Sequence, residues 1–250
     1  MKLALVIPDV HRPFHDKKAY ALMMKVGADL RPDEVVLLGD YADFYSVSSH
    51  TKDPRLPSML VDEVTDVIEG LDEIDKVFGG AQKVFIEGNH EFRLERFLCD
   101  KAPSLFGVTD TEHLLKMHSR PKWRFIPYTP HQKYQILGSK LMARHEPPGT
   151  TAKAAASKGM VNLVYGHIHR IEEAHVVSLD DTNHVSFSVG WLGNKYHRAF
   201  YYVKQHWQWQ LGFGLVWVDP ATKYFYHQKV QIIESGNCYT CVVNGKKYSA

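Results

Sequence analysis

The sequence predicts an α/β layered fold whose core sheet is largely parallel. Up to about residue 165 of the 250-residue chain, short apolar runs alternate with helical segments, as in sheets whose parallel strands are joined by helices. From about Val176 onward the pattern becomes strand-like, which predicts mixed or antiparallel strands in the second half. No repeat or low-complexity linker interrupts the pattern, and we expect one domain over residues 1–250.

Five apolar runs are the expected strands of the parallel part. They are Leu3 to Ile7, Val35 to Leu38, Lys83 to Ile86, Leu141 to Ala143 and Val161 to Val164. Between the first two, Asp16 is a plausible cap for a helix with apolar residues on one face. A longer helix is predicted from near Ser58, with three-four apolar spacing, and ends at Gly79-Gly80.

The remaining elements are less regular. Residues 92–135 contain helical segments separated by prolines, and we expect a helical insertion over one end of the sheet. Thr151 to Lys158 is Ala-rich and predicts a short helix. Near the carboxyl end, residues 242–248 predict a hairpin with an Asn-Gly turn.

Composition limits the class of protein. Hydrophobic residues make up 44% of the chain, charged residues 23%, and the net charge is +2, which neither requires nor excludes a nucleic-acid partner. Three cysteines do not suggest a disulfide framework, so we expect a cytoplasmic protein. The first residues predict a strand, not a signal peptide, and no apolar stretch approaches the length of a membrane span.

Polar clusters follow all five apolar runs. They are Asp9-Val10-His11, Gly39-Asp40-Tyr41-Ala42-Asp43, Gly88-Asn89-His90-Glu91, His145 and Gly166-His167-Ile168-His169. Ligands of open α/β sheets bind beyond the carboxyl ends of parallel strands, so the clusters should form one shared site. Because residues i and i+2 of an extended segment point the same way, Asp9 can act with His11, and His167 with His169. Glycines before three of the clusters let the backbone turn sharply.

These side chains indicate divalent metal ions. The candidate ligands are Asp9, His11, Asp40, Asn89, His145, His167 and His169. Mixed histidine, carboxylate and amide ligands suit borderline metals, so manganese is expected, with iron, zinc or nickel as alternatives. Seven groups exceed one tetrahedral zinc and fit two ions with a shared carboxylate. Such paired ions, roughly 3.5–4 Å apart, clamp the oxygens of a displacement and lower the pKa of water from about 15.7 toward about 7, which suits phosphate-ester hydrolysis by hydroxide.

The order of these motifs resembles that of the calcineurin-like metallophosphoesterases. All five family motifs occur between residues 9 and 169, and the chain's compact size and style are similar to phage or prophage members. The resemblance implies a four-layer sandwich of two packed mixed β-sheets flanked by helices. It also implies that Asp9, His11 and His169 hold one metal, that Asn89, His145 and His167 hold the other, and that Asp40 bridges them. His90 would protonate the leaving oxygen or stabilise the transition state, oriented by Asp43.

Two departures from the family pattern bear on function. Many phosphoprotein phosphatases continue the second motif with Arg-Gly, whereas Phe44-Tyr45 follow Asp43 here, so a phosphate-gripping arginine is absent at that place. This argues against a Ser/Thr protein phosphatase. In addition, Glu146-Pro147-Pro148 follow His145 where the family often has glycine. His113, His118 and His131 are alternatives to His145, which we prefer because an apolar run precedes it.

Three further features have functional and ordinary interpretations. Arg12 and His15 could touch substrate phosphate, but a solvated loop is the favoured interpretation. Cys238 and Cys241 form a lone C-x-x-C, and we expect ordinary strand residues, not a zinc site. The segment from Trp191 to Tyr226 interleaves aromatic and basic residues, as single-strand binders do, although sheet interior and edge is favoured. Residues 190–194, which follow a predicted strand where this segment begins, could reach the rim of the site.

These observations leave three functional hypotheses. The leading one is a metal-dependent phosphodiesterase or nuclease acting on nucleic acid such as DNA, or on a nucleotide, because the arginine after Asp43 is absent and an aromatic-basic segment is present. The second is a phosphomonoesterase with the same metal site. The third is a metal-stabilised binding protein without turnover, which would not need His90. Substrate, metals and oligomeric state are not determined by the sequence.

Overall fold

The computed structural model describes residues 1–56, 58–201, 203–204 and 206–250. Its strands are β1 Lys2–Ile7, β2 Glu34–Leu37, β3 Gln82–Ile86, β4 Trp123–Ile126, β5 Tyr134–Gln135, β6 Leu141–Arg144, β7 Asn162–Tyr165, β8 Ile171–Val177, β9 Asn183–Val189, β10 Gly212–Val218, β11 Phe225–Gln231, β12 Ile233–Ser235, β13 Cys238–Val243 and β14 Lys246–Ser249. Its α-helices are α1 Lys17–Leu30, α2 Leu60–Val77, α3 Arg93–Lys101, α4 Thr111–Leu114 and α5 Ala152–Gly159.

The first sheet has the strand order β11-β10-β1-β2-β3-β4. Strands β1 to β4 are mutually parallel, and β10 and β11 extend the sheet in antiparallel pairs. Both faces of β1 are covered: Leu5 and Ile7 belong to the core beneath the helices, while Ala4 and Val6 belong to the core between the sheets. Burial on both faces explains why these strands are continuous apolar runs instead of alternating ones.

The second sheet has the order β5-β6-β7-β9-β8 and packs face to face on the first. Strands β6, β7 and β9 are parallel, with β5 and β8 antiparallel at the edges. The shared core joins Val36 and Ile86 of the first sheet's segments to Leu141, Val164 and Phe187 of the second. This packing sets the carboxyl ends of β1, β2 and β3 beside those of β6 and β7.

Helices cover the outer faces of the two sheets. Helix α1 begins at the cap Asp16, whose carboxylate accepts hydrogen bonds from the backbone N–H groups of Lys18 and Ala19, as the sequence predicted. Helices α1 and α2, with a small sheet of order β12-β13-β14, pack on the first sheet, and α5 packs on the second through Ala155. The predicted class of two packed mixed sheets flanked by helices is confirmed.

Some elements differ from the sequence predictions. Residues 93–119 contain α3, α4 and two short 3-10 turns, but Trp123–Ile126 pairs with β3 as an edge strand of the first sheet. Four residues between Pro121 and Pro127 were too short a signal for a strand. The second sheet also gains β8 from Ile171, earlier than the predicted change at Val176. The limits of an insertion at 92–135 therefore stay a prediction.

The carboxyl-terminal segment follows its predicted pattern. Strands β13 and β14 form a hairpin whose turn residues Asn244 and Gly245 both have positive φ, 49° and 77°. Cys238 and Cys241 lie on β13 and are free, as expected for ordinary strand residues. Among the described residues, no helix is both long and apolar enough to cross a membrane.

Candidate metal centre

The five polar clusters meet where the two sheets present the ends of their strands. Asp9 and His11 follow β1, Asp40 and Asp43 follow β2, Asn89 and His90 follow β3, His145 follows β6, and His167 and His169 follow β7. The structure brings all nine predicted site residues into one contiguous set of contacts. Neither sheet alone could assemble it, because each supplies only part of the candidate ligands.

Unusual backbone conformations are concentrated at these strand ends. His11, Asp40, His167 and His169 all have φ between 49° and 70°, a region that non-glycine residues seldom adopt. Such conformations persist where the surrounding structure imposes them, and they cluster at functional sites. The left-handed turns aim the four side chains back across the ends of the strands.

The glycines before the clusters mainly allow neighbouring side chains to come close to the backbone, and only one of them is needed for a sharp turn. Only Gly39 of the three has a positive φ, 92°. A Cβ atom on Gly88 would lie 2.2 Å from Asp40 Oδ1, and one on Gly166 would lie 2.7 Å from Asp9 Oδ2. The predicted sharp turn thus applies to Gly39, whereas Gly88 and Gly166 leave room for candidate ligands.

We call the first pocket the group Asp9, His11, Asp40 and His169. One possible ligand atom from each lies within 4.8 Å of the others. His11 Nε2 lies 3.1 Å from His169 Nε2, and Asp9 Oδ1 lies 3.4 Å from the same His169 atom. Burial lowers the pKa of His11 to about 4, which favours the neutral imidazole that binds metals.

We call the second pocket the group Asp40, Asn89, His145 and His167. Asn89 Oδ1 lies 2.8 Å from both His145 Nε2 and His167 Nδ1, and Asp40 Oδ1 lies 3.3 Å from His145 Nε2. His145 Nδ1 lies 2.8 Å from the carbonyl oxygen of Leu38, an acceptor, so this nitrogen carries a proton. Although burial favours the neutral ring, the charges of Asp40 and Asp9 raise the pKa of His145 to about 10.

Both pockets have the donor set and the unpaired atoms that divalent cations require. With Nδ1 of His145 donating to Leu38, the raised pKa places a second proton between Nε2 and Asn89 Oδ1, which are 2.8 Å apart, and a divalent cation could take the place of that proton. In the first pocket, the buried Asp9 Oδ2 has no hydrogen-bond partner among the described residues. Buried charges are normally paired or bound to metals. The residues present therefore fit a divalent metal site.

Asp43 connects the first pocket to His90. Its Oδ2 atom lies 3.0 Å from His11 Nδ1 and 3.2 Å from His90 Nδ1. Although burial opposes ionisation, interactions with His90, His11 and Arg93 hold the pKa of Asp43 well below its ordinary value, so its carboxylate accepts from both rings. A carboxylate on Nδ1 leaves Nε2 of His11 directed toward the first pocket, as in outer-shell support of metal-binding histidines.

Arg93 is a site residue that the sequence analysis missed. Its Nη1 atom donates to the backbone oxygen and to Oδ1 of Asp43, at 2.8 and 3.1 Å, and Nη2 lies 2.9 Å from His90 Nε2. A guanidinium can only donate, so His90 Nε2 accepts and the ring carries its proton on Nδ1. A guanidinium is thus present at the site, although Phe44-Tyr45 replace Arg-Gly. The available signal was its spacing, three residues after His90.

Glu91 holds two of the strand-end loops together. The fully buried carboxylate accepts backbone hydrogen bonds from Gly88 at 2.8 Å, Asp40 at 3.0 Å and Ala42 at 2.7 Å. Burial and the charge of Asp40 raise the pKa of Glu91 to about 8, against the effect of these donors. In the sequence Glu91 belongs to the third cluster, but no motif indicates its role. The structure shows that it positions the backbone of the shared candidate ligand Asp40.

Aromatic side chains form one wall of the first pocket. Trp191 is fully buried, stacks on His169 with ring centroids 4.7 Å apart, and lies 5.9 Å from the ring of His11. Phe200 packs 5.5 Å from His11. The start of the aromatic segment therefore reaches the site as a packed wall, and Tyr202 in that segment lies outside the described residues.

Two residues near the first cluster point away from the site. Arg12 is buried; its Nε atom donates to Asp66 at 2.7 Å, and Nη1 lies 3.7 Å from Glu73, both on α2. His15 is also buried, with its ring 5.4 Å from that of Tyr20. Because both side chains are buried, the solvated loop favoured for them is wrong, while the phosphate contact stays untested. They join the first loop to the helices.

Of the histidines considered for the fourth motif, His145 is the one at the site. His113 is exposed and lies 2.8 Å from Asp110, and its ring is 5.5 Å from that of His118. His131 is exposed in the turn before β5. The histidine that follows an apolar run is therefore the one grouped with Asp40 and His167, and its role as a ligand stays a prediction.

Two packed mixed sheets with potential metal ligands at their strand ends are typical of metal-dependent phosphoesterases, and the chain belongs to the calcineurin-like phosphoesterases. The family model matches residues 3–192, which include all nine predicted site residues. The match ends just beyond Trp191, so the last strands of the first sheet and the small sheet lie outside it.

Individual relatives come from phages. The chain is 28% identical over 233 residues to the Gene 54 protein of Mycobacterium phage D29, covering 87% of this chain and 89% of that protein. It is 28% identical over 241 residues to the Gene 54 protein of Mycobacterium phage L5, with the same coverage. Among solved structures, it is similar to Vacuolar Protein Sorting 29 from Cryptosporidium parvum, with a TM-score of 0.46, 12% identity and coverage of 100% of this chain and 95% of that one. The predicted resemblance to phage members is confirmed.

Proposed function

We propose that this chain is a dinuclear metal-dependent phosphoesterase, and specifically a phosphodiesterase acting on nucleic acid or a nucleotide. The observation that carries the proposal is the pair of pockets that share Asp40 and lie beside His90. Asp40 Oδ1 faces His145 at 3.3 Å, while Asp40 Oδ2 lies 3.9 Å from His11 and 3.8 Å from His90. One carboxylate thus faces both pockets and the candidate acid.

The metal ions are part of this proposal. The first pocket would hold one divalent ion and the second pocket another, with manganese as the expected metal and iron, zinc or nickel as alternatives. Bound there, the two ions would acidify a water molecule and neutralise charge on the phosphate oxygens. The backbone strain at four of the candidate ligands supports a preformed site.

His90, Asp43 and Arg93 would manage the proton and the phosphate. Asp43 holds His90 by Nδ1, so that Nε2 is the atom available to the substrate. Arg93 donates to that Nε2 atom at 2.9 Å, and a phosphate oxygen is a stronger acceptor that would draw the guanidinium away. Once Arg93 has moved to the phosphate, Nε2 would be free to take up a proton from solvent, and the imidazolium so formed, held by Asp43 at Nδ1, would give that proton to the leaving oxygen.

The surroundings of the site favour a diester over a monoester. One cleft opens beside Asn89 and Arg93, and another opens beside His167 on the side of Glu146 and Arg170. A phosphodiester carries substituents on two sides of phosphorus, and each cleft offers space for one of them. Because Arg93 supplies a guanidinium, the missing arginine after Asp43 is no longer evidence for a diester substrate. The diester assignment is supported instead by the two clefts.

A metal-resolved assay of the purified protein tests this function. The chain is supplied in turn with Mn, Ni, Zn or Mg and given bis(p-nitrophenyl) phosphate, p-nitrophenyl phosphate, and single- and double-stranded DNA. We expect the highest kcat/KM with manganese and a preference for diesters over the monoester. Turnover of the monoester alone would contradict the proposed phosphodiesterase and show that the protein is a phosphomonoesterase. Binding of metal without turnover of any ester would favour a metal-stabilised binding protein.

A further inference from the structure

A cleft of about 340 Å³ opens directly beside the metal centre, between α3 and the loop that follows β2. Asn89 of the second pocket and Arg93 form its inner end, and Val47 to Lys52 face it from the loop. Its size falls within the usual range of ligand pockets. A group bound there would be continuous with a phosphate held at the metal centre.

Positive charge predominates on the walls of this cleft. Arg96 and Lys101 of α3 and Lys52 of the facing loop line it together with one acidic residue, Asp100. Asp100 lies 2.9 Å from Lys101 and so offsets that charge. The exposed side chain of Arg96 makes no hydrogen bond or ion pair with any residue that the structure describes. An unpaired guanidinium beside a phosphate-ester site is suited to a further phosphate.

An aromatic side chain lies among these cations. Phe97, next to Arg96 on α3, lines the cleft and keeps 37% of its surface exposed, although it is a large apolar residue. Bases of a single strand stack on such rings while cations follow the backbone. The combination of cations and an exposed ring at one cleft indicates a nucleotide chain more than an isolated phosphate.

We propose that this cleft binds the nucleotides next to the scissile phosphate of a single-stranded nucleic acid. Arg96 and Lys52 contact the neighbouring phosphates, and Phe97 stacks on a base. The assignment rests on the proposed function, because it places the scissile diester at the metal centre. It adds a substrate class, a strand several nucleotides long, to the chemistry of the site.

Fluorescence anisotropy of a labelled single-stranded oligonucleotide over a range of salt concentrations tests the assignment. Arg96→Glu should weaken binding on the order of tenfold at low salt and reduce the salt dependence by about one phosphate contact. Phe97→Ala should weaken binding with little change in salt dependence. Lys247→Glu, the same charge change on exposed β14, is the matched control and should bind like the parent. Circular dichroism verifies that each variant is folded.

The outcomes separate this assignment from the proposed function. Equal affinity of the parent and the Arg96→Glu and Phe97→Ala variants for the single strand overturns the cleft, even if the parent hydrolyses bis(p-nitrophenyl) phosphate. Arg96-dependent binding by a protein that hydrolyses no ester supports the cleft and overturns the proposed function. Stronger binding of a duplex than of the single strand also overturns the assignment as written.

Discussion

The two candidate metal pockets share Asp40 but differ in burial and charge. All four residues of the first pocket are buried, and Trp191 walls it off. In the second pocket His145 is fully buried, but 39% of the His167 side chain is exposed. The first pocket also has two carboxylates, Asp9 and Asp40, whereas the second has only the shared one. If the proposed ions bind, we expect the one in the first pocket to be held more firmly and the one in the second to exchange more readily.

The largest effect is expected from removing what the pockets share. Asp40→Asn loses an anionic group that faces both, so metal content should fall in both pockets. Loss of an acid/base group typically lowers turnover on the order of 10²–10⁴-fold, and the loss in Asp40→Asn should be larger. Elemental analysis and the diester assay measure the two effects. Asp62→Asn, an exposed change on α2, is the matched control. Full metal content in Asp40→Asn would show that the two pockets are independent.

His90→Asn separates chemistry from metal binding. His90 lies outside both pockets, so both ions should stay bound while kcat falls on the order of 10²–10⁴-fold. The surface change His113→Asn, on an exposed ring paired with Asp110, should leave both quantities unchanged. A His90→Asn protein with undiminished kcat would rule out the acid role.

A smaller effect should distinguish the pockets directly. His167→Ala should weaken the second ion by at least the roughly 10–100-fold seen when outer-shell contacts are lost, and excess metal should restore turnover because the pocket is open. His169→Ala removes a candidate ligand from the buried first pocket, where excess metal has poorer access, so turnover should recover much less. Titration calorimetry and activity against metal concentration provide the comparison. Equal rescue of both variants would contradict it.

The smallest expected effect is at Arg93. Arg93→Lys keeps a positive charge but loses the planar guanidinium that contacts both Asp43 and His90. We expect a higher KM for diesters, with a smaller change in kcat and unchanged metal content. Steady-state kinetics at saturating metal measure this. A variant with unaltered KM and lowered kcat would assign Arg93 to positioning His90 alone.

Whether a site residue could be predicted depends on whether a local sequence pattern or a tertiary contact places it at the site. Asp9, His145 and the other candidate ligands lie directly after buried strands, where strand order alone brings distant segments together, so short motifs were sufficient. Arg93 is on helix α3, and its one local signal, a spacing of three residues from His90, is too common to separate a site residue from a solvated one. Arg12 was misjudged because its partners on α2 are more than fifty residues away.

Elements of the fold also divide into those with a local sequence pattern, which were predicted, and those that depend on tertiary contacts, which were not. Apolar runs buried on both faces were visible as strands, and the Asn-Gly turn fixed its hairpin through positive φ at both residues. Strand β4 was missed because its four residues owe their strand conformation to pairing with β3, a contact that no local pattern encodes. The clefts beside the site were likewise unpredictable, since they depend on how loops pack.

The left-handed backbone at the four residues lowers the stability of the fold in exchange for the geometry of the site. These residues are His11, Asp40, His167 and His169. Each such conformation costs on the order of 1–3 kcal/mol, and glycine adopts it freely. Replacing His167 by glycine should therefore raise the melting temperature measured in chelator while lowering metal affinity. Selection for heat resistance alone would replace these residues by glycine. Four non-glycine residues in this conformation are therefore expected only where selection also acts on the activity of the site.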